Sequence, residues 1–412
     1  MLDPLNIPAE GGRPAAVVQA LNEWNDELSP EDRRAKYLRM AASPFVFYRG
    51  SNHLFWADFA ADERLGRFGN AEDTRTWLQG DLHAYNFGSF DDAKGELVYQ
   101  VNDFDEAIVA DYQLDLWRMA VSLVLIARAN GDLASNHQME VIDAFSQTYL
   151  DSLKALRMDA GKGWRDVRPD STRGRLRRFL DSVAAVYDRE GMLDRWAPGK
   201  GKQRRLNLER KDQLQEVTSA EREELEEALD GYRKTLHKSR DFKLLDCARR
   251  LGAGTGSLGT ARFYVLIHDR GDGCERILDV KQQGRPTGYA FLDPSMQADF
   301  DAKFPHPAQR HAKGYRALVR RSDPYLGWLR LSNGGHYSVR ERSPFKEAFP
   351  AEVLDGRFPF AEQAEYWGQA LAADHSRAKK GFADAVHKTL DKRDDDFRAV
   401  VREIAFSYAD QV

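Results

Sequence analysis

Apolar residues recur with a helical period over both ends of the chain. Residues 15–42 place apolar side chains on one helical face, and residues 111–130 predict a well-buried helix rich in Leu and Val. Residues 132–240 also favour helices and become strongly charged from position 199 onward. The tail from Phe360 has helical spacing again. The pattern therefore predicts that most of the chain outside its middle is helical.

Strand patterns concentrate between residues 243 and 340. Runs rich in β-branched and aromatic residues, separated by Gly-rich turns, predict strands at 244–251, 261–267, 276–281, 326–331 and 337–340. Between the third and the fourth of these strands, residues 309–321 predict a basic helix. We therefore expect a small antiparallel sheet accompanied by one helix.

Two further segments lie nearer the N-terminus. Residues 87–90 and 97–101 predict a hairpin over a turn at 91–95. The aromatic run at 44–50, which ends in Arg49 and a glycine, favours a buried strand with a turn. A phosphate contact by Arg49 is an equal alternative for this run.

Composition narrows the class of protein. The 412 residues suggest two or three structural units, and a net charge of −4 with 31% charged residues leaves no basic excess to favour nucleic acid or an anionic membrane. Cys247 and Cys274 lack metal-ligand spacing and suit a reducing compartment. The most apolar stretch, 119–127, is too short to span a bilayer. We expect a soluble cytoplasmic protein with neither a nucleic-acid nor a membrane partner.

The strongest chemical signal is the sequence GDLHAYN at positions 80–86. An Asp followed five positions later by Asn is the arrangement of a kinase catalytic loop. In that loop the carboxylate accepts a hydroxyl proton and the amide oxygen binds Mg²⁺. Asp81 and Asn86 are therefore candidates for these two roles.

The predicted hairpin returns the chain to a second acidic segment, NDFDE at 102–106. It would place Asp103 beside Asn86. Because Mg²⁺ takes only one or two carboxylates besides phosphate oxygens, these two residues are a sufficient protein share of a magnesium site. Asp105 is a further metal-binding candidate, and Glu106 is a supporting group. Either segment alone is typical of a surface turn, but the pair favours a metal-phosphate site.

A glycine-rich segment far downstream suggests where phosphates would be covered. Gly254, Gly256 and Gly259 have the G-x-G-x-x-G spacing that lets backbone N–H groups approach phosphate oxygens, and Ser257 lies among them as a further cofactor-binding candidate. A Rossmann loop would open a helix, whereas the residues that follow here predict a strand. The segment therefore favours a kinase-type flap over phosphates.

Lys281 ends the strand that returns after this flap, where a kinase carries the lysine that pairs with nucleotide phosphates. A strand-end surface lysine is the simpler alternative. Asp115 stands near the start of the predicted helix 111–130, where it either favours the positive end of the helix dipole or braces the Asp81 loop from below. His375 is expected to be a capping or core histidine.

Over most of its length the chain resembles the bacterial family catalogued as domain of unknown function 2252. The matching stretches are 44–50, 80–88, 102–106, 115–122, 252–281, 309–327 and 367–378. The same pieces are similar to those of aminoglycoside phosphotransferases and related kinase-like enzymes. The resemblance places Asp81 and Asn86 in the catalytic loop, Asp103 at the metal-binding Asp, and Asp115 at a structural Asp.

The resemblance implies an α+β, protein-kinase-like two-lobed fold in circularly permuted order, because the glycines and Lys281 follow Asp81 instead of preceding it. Such rewiring preserves a fold when the termini of a domain lie close together. The expected parts are a mainly helical lobe with the catalytic loop and metal-binding hairpin at 1–240, a small β-rich nucleotide-binding lobe at 241–345, and C-terminal helices packing on the helical lobe at 346–412.

The chain departs from the family pattern at one place. The family tends to carry Glu after the strand lysine, where this chain has Gln282, and no glutamate between residues 309 and 321 stands out as a partner for Lys281. The acidic partner of that lysine therefore stays open.

The expected function is an ATP- and Mg²⁺-dependent phosphotransferase acting on an unidentified acceptor. Asp81 would serve the acceptor, Asn86 and Asp103 would hold Mg²⁺, and Lys281 would neutralise the nucleotide phosphates. Alternatives are a non-catalytic nucleotide-binding protein (a pseudokinase), a nucleotidyl-transferring enzyme and, ranked last, a metal-dependent phosphoesterase, which needs more metal ligands than the sequence offers. Neither the acceptor nor the oligomeric state follows from the sequence.

Overall fold

The computed structural model describes residues 12–131, 133–158, 166–252 and 260–412. The helices are α1 (Gly12–Trp24), α2 (Pro30–Met40), α3 (Pro44–Gly50), α4 (Asn52–Phe59), α5 (Leu65–Phe68), α6 (Gln113–Ala129), α7 (Ser135–Met158), α8 (Gly174–Val186), α9 (Arg189–Trp196), α10 (Ser219–Arg233), α11 (Pro294–Lys303), α12 (Pro307–Leu318), α13 (Arg357–Ala378), α14 (Phe382–Leu390) and α15 (Asp394–Gln411).

The strands are β1 (Arg75–Leu78), β2 (Phe87–Asp91), β3 (Leu97–Val101), β4 (Ile108–Asp111), β5 (Leu214–Glu216), β6 (Phe242–Arg250), β7 (Arg262–Asp269), β8 (Glu275–Gln282), β9 (Gly327–Arg330), β10 (His336–Glu341) and β11 (Glu347–Ala348). They form an antiparallel six-stranded sheet of order β5-β6-β7-β8-β10-β9, a three-stranded sheet of order β11-β2-β3 and the pair β1-β4. The fold is therefore mixed α+β, as the sequence predicts.

The six-stranded sheet packs against other elements on both faces, because successive side chains along each strand point to opposite faces. Leu278 and Val280 on β8 point to the face covered by α10, where they pack with Leu225 and Leu229. Ile277 points to the opposite face and packs in a separate cluster with residues of α9. The five strands and the helix predicted at 244–340 are confirmed, with α12 lying between β8 and β9.

Long helices form the larger core. α6 is buried along almost its whole length, since apolar residues run all around it. α13 packs lengthwise on α7, and Gly368 allows the close approach because a Cβ there would overlap the carbonyl oxygen of Phe145. α15 packs against α6, so the C-terminal helices join the helical part of the molecule. Within the described ranges, no helix is long and apolar enough to cross a membrane.

The predicted hairpin at 87–101 is confirmed as β2–β3, with Phe87 opposite Val101. The aromatic run at 44–50, in contrast, is the helix α3 and not the expected strand. Ser43 caps it by accepting the backbone N–H of Val46, and Pro44 occupies the first turn, where its missing N–H costs nothing. The Ser-Pro pair was the local signal that outweighs the β propensity of the aromatic residues.

Candidate functional site

Residues 79–86, here called the Asp81 loop, have their backbone fixed by buried groups. Gly80 has a φ of +85°, and a Cβ there would overlap the carbonyl oxygen of Glu106. The carbonyl oxygen of Gly80 accepts hydrogen bonds from the side chains of Asn52 and Trp56, each at 3.0 Å. Only glycine meets both the left-handed conformation and the close approach at this position.

Asp115 braces the Asp81 loop from below. Its carboxylate accepts the backbone N–H of Gln79 at 2.7 Å and that of Gly80 at 3.0 Å. His375 lies 3.4 Å from the same carboxylate, and its other ring nitrogen lies 2.9 Å from the hydroxyl of Tyr149. The bracing alternative for Asp115 is therefore confirmed, although Asp115 also stands in the first turn of α6. His375 is a buried core histidine, as expected.

The Asp81 carboxylate is held by Arg118, a partner that sequence reasoning missed. Arg118 Nε donates to Asp81 Oδ1 at 2.7 Å, and Nη2 donates to the same oxygen. The guanidinium is buried and stacks over the ring of Tyr48 at 4.2 Å. Burial raises the pKa of Asp81, while Arg118 and then Arg49 oppose this shift. The available signal was an arginine inside the apolar helix α6, one turn after Asp115.

Arg49 lies at the rim of the same loop. Its Nε donates to His83 Nε2 at 3.2 Å, and its guanidinium lies 5.6 Å from the ring centre of Tyr85. Burial lowers the pKa of His83 well below its ordinary value, and the charges of Arg49 and Arg118 add to this. Arg49 thus belongs to this site electrostatically, and its contact with a phosphate stays a prediction.

The hairpin brings the two acidic segments together. The backbone N–H of Asn102 donates to the carbonyl oxygen of Asn86 at 2.9 Å. The Asn86 side-chain nitrogen donates a hydrogen bond to the carbonyl oxygen of Asp81 at 2.9 Å. A metal would bind the side-chain oxygen of Asn86. The Asp103 charge acts on Asp81 and on Lys281, raising the pKa of each. Asp103 therefore lies within electrostatic range of both catalytic candidates.

Lys281 forms an ion pair with Asp105, so the structure supplies the partner that the sequence left open. Gln283 Nε2 donates to the same carboxylate at 2.8 Å, and His311 Nε2 lies 3.7 Å from it. Burial works against both charges, yet Lys281 keeps the pKa of Asp105 below its usual range, and Asp105 with Asp103 raises that of Lys281. A metal-binding role for Asp105 would compete with this pair and stays a prediction.

Arg310 on α12 supports the second acidic segment from within. Its fully buried guanidinium donates to the carbonyl oxygens of Ala107 and Asp105, each at 2.7 Å. Burial lowers its pKa to about 10, even though carboxylates lie nearby. The sequence predicted a basic helix here but gave no sign that this arginine points inward to hold a loop.

The nucleotide-covering candidates lie outside the described residues: they are Gly254, Gly256, Ser257 and Gly259. Among the residues that are described, no three His, Cys, Asp or Glu side chains gather as a metal site. A magnesium ion on nucleotide phosphates needs only one or two protein carboxylates. Asn86 and Asp103 carry hard oxygens of the required type, and the backbone bond between Asn102 and Asn86 brings their two chain segments together.

The fold is that of an α+β protein in which the antiparallel sheet meets the acidic segment 102–106 through the ion pair of Lys281 with Asp105. The family described as "uncharacterized protein conserved in bacteria (DUF2252)" matches residues 28–412, and the chain belongs to this family. Comparison with curated proteins and with solved structures gives no match to the chain.

Proposed function

We propose that this protein is an ATP- and Mg²⁺-dependent phosphotransferase with a kinase-like, circularly permuted fold. The observation that carries the proposal is the ion pair between Lys281 and Asp105. It joins the sheet to the acidic segment two residues after Asp103, so the late and early parts of the chain meet at one point. Permuted halves of a single phosphate site require such a meeting.

The sheet topology supports the same proposal. Of the five strands β6 to β10, the first two flank the glycine-rich segment and the third carries Lys281, which is where a kinase has its flap and its phosphate-binding lysine. The helix α12 precedes the last two strands. The kinase pair of this lysine with a helix glutamate is replaced by the pair with Asp105.

Each residue then has a definable task. Asp81 orients the acceptor hydroxyl and takes its proton, while Arg118 holds the carboxylate in place. Asn86 and Asp103 offer oxygens for Mg²⁺, which when bound would neutralise charge on the phosphates. When a nucleotide is bound, Lys281 would leave Asp105 and pair with the phosphate oxygens instead. Catalysis is then positioning plus charge stabilisation.

The alternative functions can be told apart by the product, if any, that they form from ATP. A nucleotidyl-transferring enzyme releases pyrophosphate. In a pseudokinase, bound Mg-ATP would raise the melting temperature of the protein, but no ATP would be consumed. A dinuclear phosphoesterase needs more metal ligands than the described residues bring together, so it ranks last.

The test is Mg-ATP consumption by wild type and by Asp103→Asn. Removing one charge-stabilising group typically costs about 10²–10³ in rate. We expect a loss of that size with an unchanged melting temperature in the absence of ligand. Asp181→Asn, an exposed ion-paired residue of α8, is the matched control and should keep full activity. Undiminished turnover in Asp103→Asn would contradict the assignment of this protein as a phosphotransferase.

A further inference from the structure

A cleft of about 340 Å³ adjoins the proposed transfer site, under β7, β8 and β10. Asn102, the neighbour of Asp103, lines one wall. Arg262 and Asp279 line another, and they stand on the same face of the sheet as Lys281, since Arg262 is opposite Lys281 in the strand register and Asp279 is two positions before it. The volume lies within the range of about 300–1,000 Å³ typical of ligand pockets.

The lining of this cleft is charged where ligand pockets are mostly apolar. Among its described lining residues, eight are Lys or Arg and six are Asp or Glu, a surplus of two positive charges. Several arginines are neutralised in place. Arg262 Nε donates to Asp279 at 2.7 Å, and Arg189 pairs with Glu341. In these pairs, each carboxylate neutralises one arginine of the lining.

Among the described residues, four cations of the lining have no carboxylate within ion-pair distance. Lys94 is exposed, whereas the other three, Arg340, Arg342 and Lys346, are half-buried. Within the described ranges, Arg340 donates only to the carbonyl oxygen of Asn102, at 2.9 Å. Arg342 lies 4.9 Å from the ring centre of Trp196, and its buried Nε has no hydrogen-bond partner in the part of the chain that the structure describes. All three belong to the end of β10 and the segment that follows it.

Arg340 and Lys346 repel one another. The charge of Arg340, followed by burial and by Arg262, lowers the pKa of Lys346 to about 7. A solvated surface would let such side chains spread apart, but here the β10 segment and the neighbouring sheet hold them around one space. An anion placed among them would relieve the repulsion and satisfy the donors.

We propose that Arg340, Arg342 and Lys346 form a subsite that binds the phosphate groups of a ligand in this cleft. The proposal deepens the proposed function by adding a phosphate-recognising element in a cleft that is lined by the sheet face of Lys281. The phosphates belong either to the nucleotide itself or to a phosphorylated acceptor. Both sources present the same chemistry, a group with at least two negative charges.

The test measures binding of sodium tripolyphosphate, without Mg²⁺, to the full chain by calorimetry. Wild type should bind it, and Arg342→Met and Lys346→Met should each weaken binding at least tenfold. Lys388→Met, on α14 outside the cleft lining, removes the same charge from the chain and should leave the affinity unchanged. Melting temperatures check that each variant is folded.

A competition arm identifies the source of the phosphates. Displacement of tripolyphosphate by ATP assigns the subsite to the nucleotide, and simultaneous binding assigns it to an acceptor. Absence of tripolyphosphate binding, or equal affinity in the cleft variants and the Lys388→Met control, overturns the proposal. Because none of these readouts uses turnover, an active Asp103→Asn variant would refute the phosphotransferase assignment and leave the subsite standing.

Discussion

The two sides of the candidate site are built in different ways. On the helical side, hydrogen bonds between its backbone and buried side chains fix the Asp81 loop: Asp115 accepts from below, and Asn52 and Trp56 donate to it from beside. On the sheet side, Lys281 and Asp105 meet as a partly exposed ion pair, next to cations that lack carboxylate partners among the described residues.

This difference distinguishes groups that the fold alone holds in place from groups whose position a ligand would change. Backbone groups tied to buried acceptors keep their geometry with or without a substrate. An ion pair beside surplus cations can exchange one anion for another, because a phosphate is also negatively charged and offers more acceptor atoms than a carboxylate. We infer that the Asp81 loop is preorganised and that the sheet side responds to the ligand.

The largest effect is expected from Gly80→Ala. The new Cβ would overlap the carbonyl oxygen of Glu106 at a φ of +85°, so we expect a loss of more than about 3 kcal/mol in unfolding free energy. Denaturant unfolding measures it. Gly95→Ala is the control: Gly95 has a φ of +77° and open space around it, so only the backbone strain of about 1–2 kcal/mol applies. Equal costs at the two positions would show that the loop is not tightly enclosed.

A smaller effect is expected from Asp115→Asn. The amide can accept only one of the two backbone N–H groups that the carboxylate now accepts, so one buried donor loses its partner at a cost of about 1–3 kcal/mol. Chemical denaturation should show this loss, and hydrogen exchange should show faster opening at Gly80. Asp181→Asn, an exposed member of an i,i+4 pair, should change the stability by less than about 0.5 kcal/mol. A neutral Asp115→Asn would contradict the bracing role.

Local patterns predicted most elements of both sides. The strands β6 to β10, the β2–β3 hairpin and the buried helix α6 follow from periodicity and turn residues, which act over short separations. The strand expected at 44–50 was wrong because a Ser-Pro helix start outweighed aromatic propensity. On the helical side, Asp81 and Asn86 could be named as candidates because one loop carries both.

Pairings across the chain could not be predicted in this way. Lys281 and Asp105 are 176 residues apart, and no local pattern relates them. Arg118 is nearer to Asp81 in sequence, but its inward direction depends on the packing of α6 against α3 and the loop. Arg340, Arg342 and Lys346 read as ordinary charged residues until the sheet encloses them.

The smallest effect is expected from breaking the ion pair on the sheet side. Lys281→Met removes the cation that pairs with Asp105, and Asp105→Asn removes the charge of that pair, so each should cost about 1 kcal/mol, since both groups are partly exposed. The double variant should be more stable than the sum of the two single losses predicts, with a coupling of about 1 kcal/mol. Thermal unfolding of the four proteins measures the cycle. Additive losses would mean that the pair contributes nothing to the fold.

The most direct measurement is a crystal structure with Mg²⁺ and a non-hydrolysable ATP analogue. We predict a metal bound by the side-chain oxygens of Asn86 and Asp103, with Lys281 Nζ moved from Asp105 to the nucleotide phosphates. Nucleotide bound away from Lys281, or a metal that leaves Asp103 unliganded, would contradict the proposal that the two sides form one phosphotransfer site.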